Sequence, residues 1–164
     1  MSRTIKDELK MGRLEGPEQE AFLNVWRTRE QLMSEMEELY KRYNISAAQY
    51  NALRILRGAG KAGMSCHGVS DRLVSRVPDI TRLLDRLEAK GLISRARDEE
   101  GDRRIVIARI AAKGLALLER LDGPVLDRHR EQFAHLTSGE LGELNRLLTK
   151  VRLRWTEREE GGSE

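Results

Sequence analysis

Apolar residues fall along this chain in two rhythms, a period near 3.6 over most of its length and a period near 2 over one short stretch. Both occur in succession over residues 77–104 (VPDITRLLDRLEAKGLISRARDEEGDRR). Ile80, Leu83, Leu84 and Leu87 stand at i, i+3, i+4 and i+7, one helical stripe, and the polar Asp79, Thr81, Arg82, Asp85 and Arg86 face away from it. Gly91 follows and suits the left-handed position that closes a helix. Residues 93–98 and 104–110 then read as two short strands joined by a charged turn carrying Gly101. A helix that presents a guanidinium and a hydroxyl, followed at once by a basic hairpin, can probe a nucleic-acid groove at two points. The pattern reads as a recognition helix with a wing.

The helical rhythm continues on both sides. Pro17 at a first helical position, with Glu18 and Glu20 behind it, opens a long helix. Phe22, Val25, Trp26, Leu32, Met33, Met36, Leu39, Tyr40 and Tyr43 carry its stripe to a stop at Asn44. Ser46-Ala47-Ala48-Gln49 is a capping box preceded by the staple residue Ile45. It starts a helix with Tyr50, Leu53, Ile55 and Leu56 that ends in GAGKAG. A shorter helix is expected from about Cys66 to Val74, with Val69, Leu73 and Val74 inward. Two short helices joined by a brief turn form a helix-turn-helix whose second member is the reader. After the hairpin, residues 112–133 carry Leu115, Leu118, Leu121, Val125 and Leu126, and Pro124 is expected to kink them. Thr137 to Glu140 is a second capping box. Leu141, Leu144, Leu148, Val151 and Trp155, spaced 3, 4, 3 and 4, then form an a/d seam.

The fold class expected is mainly α: a winged helix-turn-helix lobe with a two-stranded β wing, plus long N- and C-terminal dimerisation helices. The divisions are a flexible arm over 1–16, a dimerisation helix over 17–44 and the DNA-binding lobe over 45–110. Linker and dimerisation helices follow over 111–158, then a disordered tail over 159–164. The net charge of +3 permits nucleic-acid binding without establishing it. Residues 64–110 hold ten Lys and Arg against eight Asp and Glu, so the argument rests on where charges stand. The one cysteine, Cys66, excludes an intramolecular disulfide. With no signal-like N-terminus and no apolar run long enough to span a bilayer, a cytoplasmic protein without a membrane partner is expected. His67, His129 and His135 are scattered without ligand spacing, so neither metal nor cofactor is expected. GKAGMSCHG has its glycine, lysine and hydroxyl in the wrong order for a phosphate loop, and no nucleophile–base arrangement is present, which argues against an enzyme.

The residues DITRLLDRLEAKGLISR (79–95), the wing tip DEEGDRR (98–104) and the pair Lys113-Gly114 resemble the MarR family of winged helix-turn-helix transcription regulators. One departure is Ala111, where the family usually has a capping Thr. The resemblance implies a homodimer whose first and last helices intertwine, here through Phe22, Val25, Leu141, Leu144, Leu148, Val151 and Trp155. It implies two lobes that put reader helices into major grooves and wings into flanking minor grooves of double-stranded DNA, and a repressor is the regulator expected. It also implies a small-molecule effector, often aromatic, between dimer helices and lobe.

On that frame Arg82 is the first candidate for guanine O6 and N7, with Thr81, Asp79 and Arg86 beside it on the reader helix. Ser75 and Arg76 are candidate backbone anchors. Arg103 or Arg104 would enter the minor groove, and Asp102 resembles the family's acidic partner to the wing arginine. Trp26, Tyr43 and Tyr50 are candidate ligand contacts. Two other readings stand beside this one: a winged-helix protein-interaction module without DNA readout, and a redox-sensing regulator acting through Cys66 at a helix start.

Overall fold

The structure is a computed structural model that describes residues 4–98 and 104–160, with side chains as far as residue 153. Among the described residues, seven α-helices and three short strands run in the order α1 (Ile5–Glu8), α2 (Pro17–Arg42), α3 (Ala47–Ala59), β1 (Met64–Ser65), α4 (Cys66–Arg72), α5 (Ile80–Ala89), β2 (Ile93–Arg97), β3 (Val106–Ile110), α6 (Ala112–Phe133) and α7 (Ser138–Glu160), with one 3-10 turn over Gly60–Ala62. The chain divides after Val125 into two compact units, residues 1–125 and 126–164.

Local chemistry accounts for most boundaries in the first unit. Pro17 opens α2, and Asn44 in the left-handed region (φ 57°) follows its end. Ser46 and Gln49 close their box reciprocally at 3.2 Å each way, which satisfies two otherwise orphaned donors of α3. Within residues 1–16, Thr4 caps the short α1, whose Ile5 is buried.

The core gathers the stripes of these helices. Leu53 and Leu56 of α3, Val69 of α4, Leu84 and Leu87 of α5, and Leu118 and Leu121 of α6 are wholly buried, with Met36, Leu39 and Tyr40 of α2 and Ala108 of β3 around them. Tyr40 stacks on Tyr50 at 4.7 Å between ring centroids, and burial pushes the Tyr40 phenol far above its usual range.

The sheet has one strand more than expected. β2 and β3 pair antiparallel from Ile93 opposite Ile110 to Arg97 opposite Val106, and β1 adds to the other edge of β3, with Met64 opposite Ala108. Two residues are too short a run for a period-2 pattern to register. The expected inward Val74 is also corrected: α4 stops at Arg72, Leu73 is extended, and Val74 is 89% exposed. Pro124 lies inside α6.

In the second unit, the Thr137 box forms as expected. Thr137 Oγ1 accepts from the Glu140 N–H at 3.3 Å, and Glu140 returns a carboxylate to the Thr137 N–H at 2.8 Å. The Thr137 N–H and the Thr137 hydroxyl, both donating to the Glu140 carboxylate, hold that carboxyl below its ordinary range. α7 keeps Leu141, Leu144 and Leu148 half-buried and leaves Leu147, Val151 and Leu153 largely exposed. Trp155 lies beyond the described side chains, and residues 161–164 of the expected tail lie outside the described residues.

Candidate nucleic-acid interface

α5 shows why one helix can be both a core element and a reading head. Leu84 and Leu87 are fully buried and Ile80 and Leu83 half-buried, so this face is committed to the lobe. Thr81, Arg82, Asp85, Arg86 and Ala89 point to solvent. The helix starts at Asp79, whose Oδ1 accepts the Arg82 backbone N–H at 2.9 Å. That bond makes Asp79 an N-cap, a use of its carboxylate that the sequence pattern did not single out. The C-terminus closes on Gly91 (φ 69°), with Gly91 N–H on the Glu88 carbonyl and Leu92 N–H on the Leu87 carbonyl, a Schellman ending.

The acidic residues of α5 are held by a residue that sequence reasoning missed. Arg95, on β2, donates from Nε and a terminal nitrogen to Glu88 at 3.0 and 2.7 Å, and reaches Asp85 at 2.5 Å. Its backbone N–H also bonds Glu88 at 2.9 Å. The hydrogen bonds it donates to Glu88 and then to Asp85 raise the Arg95 guanidinium above its usual value, against the opposing effect of burial. Two carboxylates beside the reader face thereby share one arginine, while Arg82 and Arg86 have no ion pair among the described residues. The spacing of Glu88 and Arg95 across the glycine turn was the available signal, but it needs the helix–strand angle to become a contact.

Other candidates flank α5 along the chain. Ser75 and Arg76 are exposed in the segment leading to it, and the Val74 N–H there is held by Asn51 Oδ1 of α3 at 2.8 Å. Arg104 is exposed just ahead of β3, where the Asp98 N–H donates to the Ile105 carbonyl at 2.9 Å and extends the wing ladder. Asp102 and Arg103 lie outside the described residues.

The three aromatic ligand candidates are not brought together. Tyr50 is buried in the core against Tyr40, because it lies on the α3 face that the lobe closes over. Tyr43 borders a cavity of about 360 Å³ with Lys90, Leu92, Lys113, Leu117 and Arg120, and the Arg120 guanidinium stands 5.5 Å from its ring centre. Trp26 borders another of about 250 Å³ with Leu9, Leu23 and Arg27. Cys66 begins the seven-residue α4, half-buried, and packs on the core like a small apolar side chain. Among the described residues no cluster of His, Cys, Asp and Glu could hold a metal, and no helix is long and apolar enough to cross a membrane.

This arrangement has known counterparts. A crystal structure of a MarR transcription factor from Planctomyces limnophilus is 42% identical, superimposes with a TM-score of 0.65, and is covered over 98% of its length by 84% of this chain. The MarR family profile matches residues 45–106, the lobe itself. The chain belongs to the MarR family. Among MarR-family relatives, the homoprotocatechuate degradative operon repressor of Escherichia coli is 29% identical over 120 residues, 73% of this chain and 79% of that protein. A mutant MarR from Escherichia coli, solved in complex with operator DNA, is 26% identical with a TM-score of 0.71, over 92% of this chain and 99% of that one. This MarR-family chain is therefore a DNA-binding transcription regulator and not an enzyme.

Proposed function

We propose that this protein is a homodimeric repressor that binds a pseudo-palindromic operator through two copies of α5, with half-sites about one helical turn apart. The observation that carries the reading is the division of α5 into a buried leucine face and an exposed face of Thr81, Arg82 and Arg86, with the neighbouring acids Asp85 and Glu88 engaged by Arg95. Arg82 reads guanine, Thr81 meets a thymine methyl or a phosphate, and Arg86 follows one turn later. Ser75 and Arg76 anchor the backbone, while Arg103 or Arg104 enters the minor groove, with Asp102 as the acidic partner of that arginine. Dimerisation uses Phe22, Val25 and Trp26 of α2, which expose 61%, 51% and 56% of their surface, together with the α7 seam from Leu141 to Trp155. The name of the Escherichia coli relative supports repression. A small-molecule effector, aromatic in character, releases the operator by favouring a lobe spacing that no longer fits successive grooves. The protein works in the cytoplasm.

A titration against the region upstream of its own gene, repeated over a salt series, tests this. Affinity is expected to fall steeply with salt as counterions leave neutralised phosphates. Arg82→Ala is expected to lose about 1–3 kcal/mol of discrimination between operator and random duplex. Binding that is insensitive to both salt and Arg82 would leave the lobe as a protein-interaction module.

A further inference from the structure

Two helices of the lobe end in the same manner and close to one another. α2 closes with Asn44 left-handed, its N–H on the Lys41 carbonyl and the Ile45 N–H on the Tyr40 carbonyl. α5 closes with Gly91 in the equivalent role. Such an ending satisfies part of the last turn and leaves carbonyl oxygens at the negative end of the helix dipole, where a cation is favoured. A lysine serves each end. Lys90 Nζ donates to the Asn44 carbonyl at 2.5 Å, with Gln49 Oε1 at 3.4 Å. Lys113 Nζ donates to the Lys90 carbonyl at 2.8 Å. Gln49 is buried and already bound to the start of α3 through the Ser46 N–H. Gly114 makes the second step possible, since a Cβ there would stand 2.2 Å from the Leu92 carbonyl oxygen, so only glycine lets the first turn of α6 lie so near the end of α5.

We propose that Lys90 and Lys113 are positioning residues for DNA reading: a relay of two ammonium groups that ties the C-terminus of α5 to the end of α2, the start of α3 and the start of α6. The inference rests on α5 being the reader helix. Thr81 and Arg82 stand at the opposite end, which is held by the local Asp79 cap. A ten-residue helix is about 15 Å long, so a tilt of about 4° about its anchored end moves its start by about 1 Å. The angle at which the reading side chains meet a groove is therefore set at the far end, by groups that touch no base. α2 also bears the exposed Phe22, Val25 and Trp26, so the relay joins the proposed dimer helix directly to the reader.

The test uses a duplex selected by the wild-type protein from a random library, and a random duplex of equal length, each titrated over a salt series. Lys90→Met keeps the stem and removes the donor. It is expected to weaken binding to the selected duplex about tenfold. Affinity for the random duplex and the slope against salt are expected to stay as in wild type. Lys113→Met is expected to act in the same direction, and the double variant to be no worse than about the stronger single one, as members of one relay are non-additive. Lys113 is exposed, so its variant reads the same tie should the Lys90 variant not fold. Equal loss on both duplexes with the salt slope smaller by about one would make Lys90 a phosphate contact and overturn the proposal. Unchanged discrimination with only a lower melting temperature would do so too. Failure of the reader-helix reading would show separately, as a wild-type protein that selects no sequence.

Discussion

The winged lobe and the terminal helices are made from the same amphipathic pattern, yet only the lobe closes over its apolar face. α2 shows both outcomes along one helix. Its last turns bury Met36, Leu39 and Tyr40 in the core, while Phe22, Val25 and Trp26 in its first half stay more than half exposed. Phe22 and Trp26 meet only edge to face, 5.7 Å apart, without being covered. In α7, Val151 and Leu153 are likewise exposed. A period of 3.6 specifies that a helix has an apolar side; it does not say whether the same chain supplies the cover. In the lobe, α3, α4, α5 and α6 cover one another. At the two terminal helices these apolar residues stay exposed within each unit, and in the proposed dimer the second copy covers them.

The sharpest way to break that contrast is to damage each side in turn. Leu84→Ala, in the fully buried set, is expected to cost about 2–5 kcal/mol of unfolding free energy. Urea denaturation should show it, and an effect near zero would mean that Leu84 is not packed in the lobe core. Val25→Asp is expected to leave the folded lobe intact by circular dichroism. It should convert the dimer to monomer by sedimentation and weaken operator binding about a hundredfold, because a charge is then buried unpaired at the seam. A dimer that survives this change would remove α2 from the interface.

The smallest effect concerns the edge of the lobe. Arg57 holds Asp122 with two hydrogen bonds of 2.7 and 3.0 Å, and these keep the Asp122 carboxyl below its ordinary value. A carboxyl depressed in the folded state stabilises fully above its unfolded value near 4 and loses that contribution as pH falls through the lower folded value. Both side chains are substantially exposed, so the pair is worth less than about 1 kcal/mol. Asp122→Asn should lower the urea midpoint slightly at neutral pH, and the gap to wild type should close below about pH 4. A gap that instead widened in acid would mean the carboxyl is raised.

The pieces legible in the sequence are those whose cause lies within about five residues. The boxes at Ser46 and Thr137, the proline start of α2 and the glycine end of α5 all stand where the local pattern places them. Asp79 shows the limit. One residue decides whether a carboxylate projects from a helix or caps it, and periodicity locates a start no better than that. Val74 failed for the same reason, since α4 ends two residues before it. β1 escaped notice because its partner Ala108 is far along the chain and the strand itself is two residues long.

What the chain determined by itself is its helices, their apolar sides and the order in which they come, because capping, backbone preference and side-chain period act between near neighbours. Tertiary structure decided which charges meet. Arg95 found Asp85 and Glu88, Lys90 found the end of α2, and Tyr50 went into the core instead of a crevice. Those outcomes depend on angles between elements, and the angles follow from how whole faces pack, which no short window of residues contains.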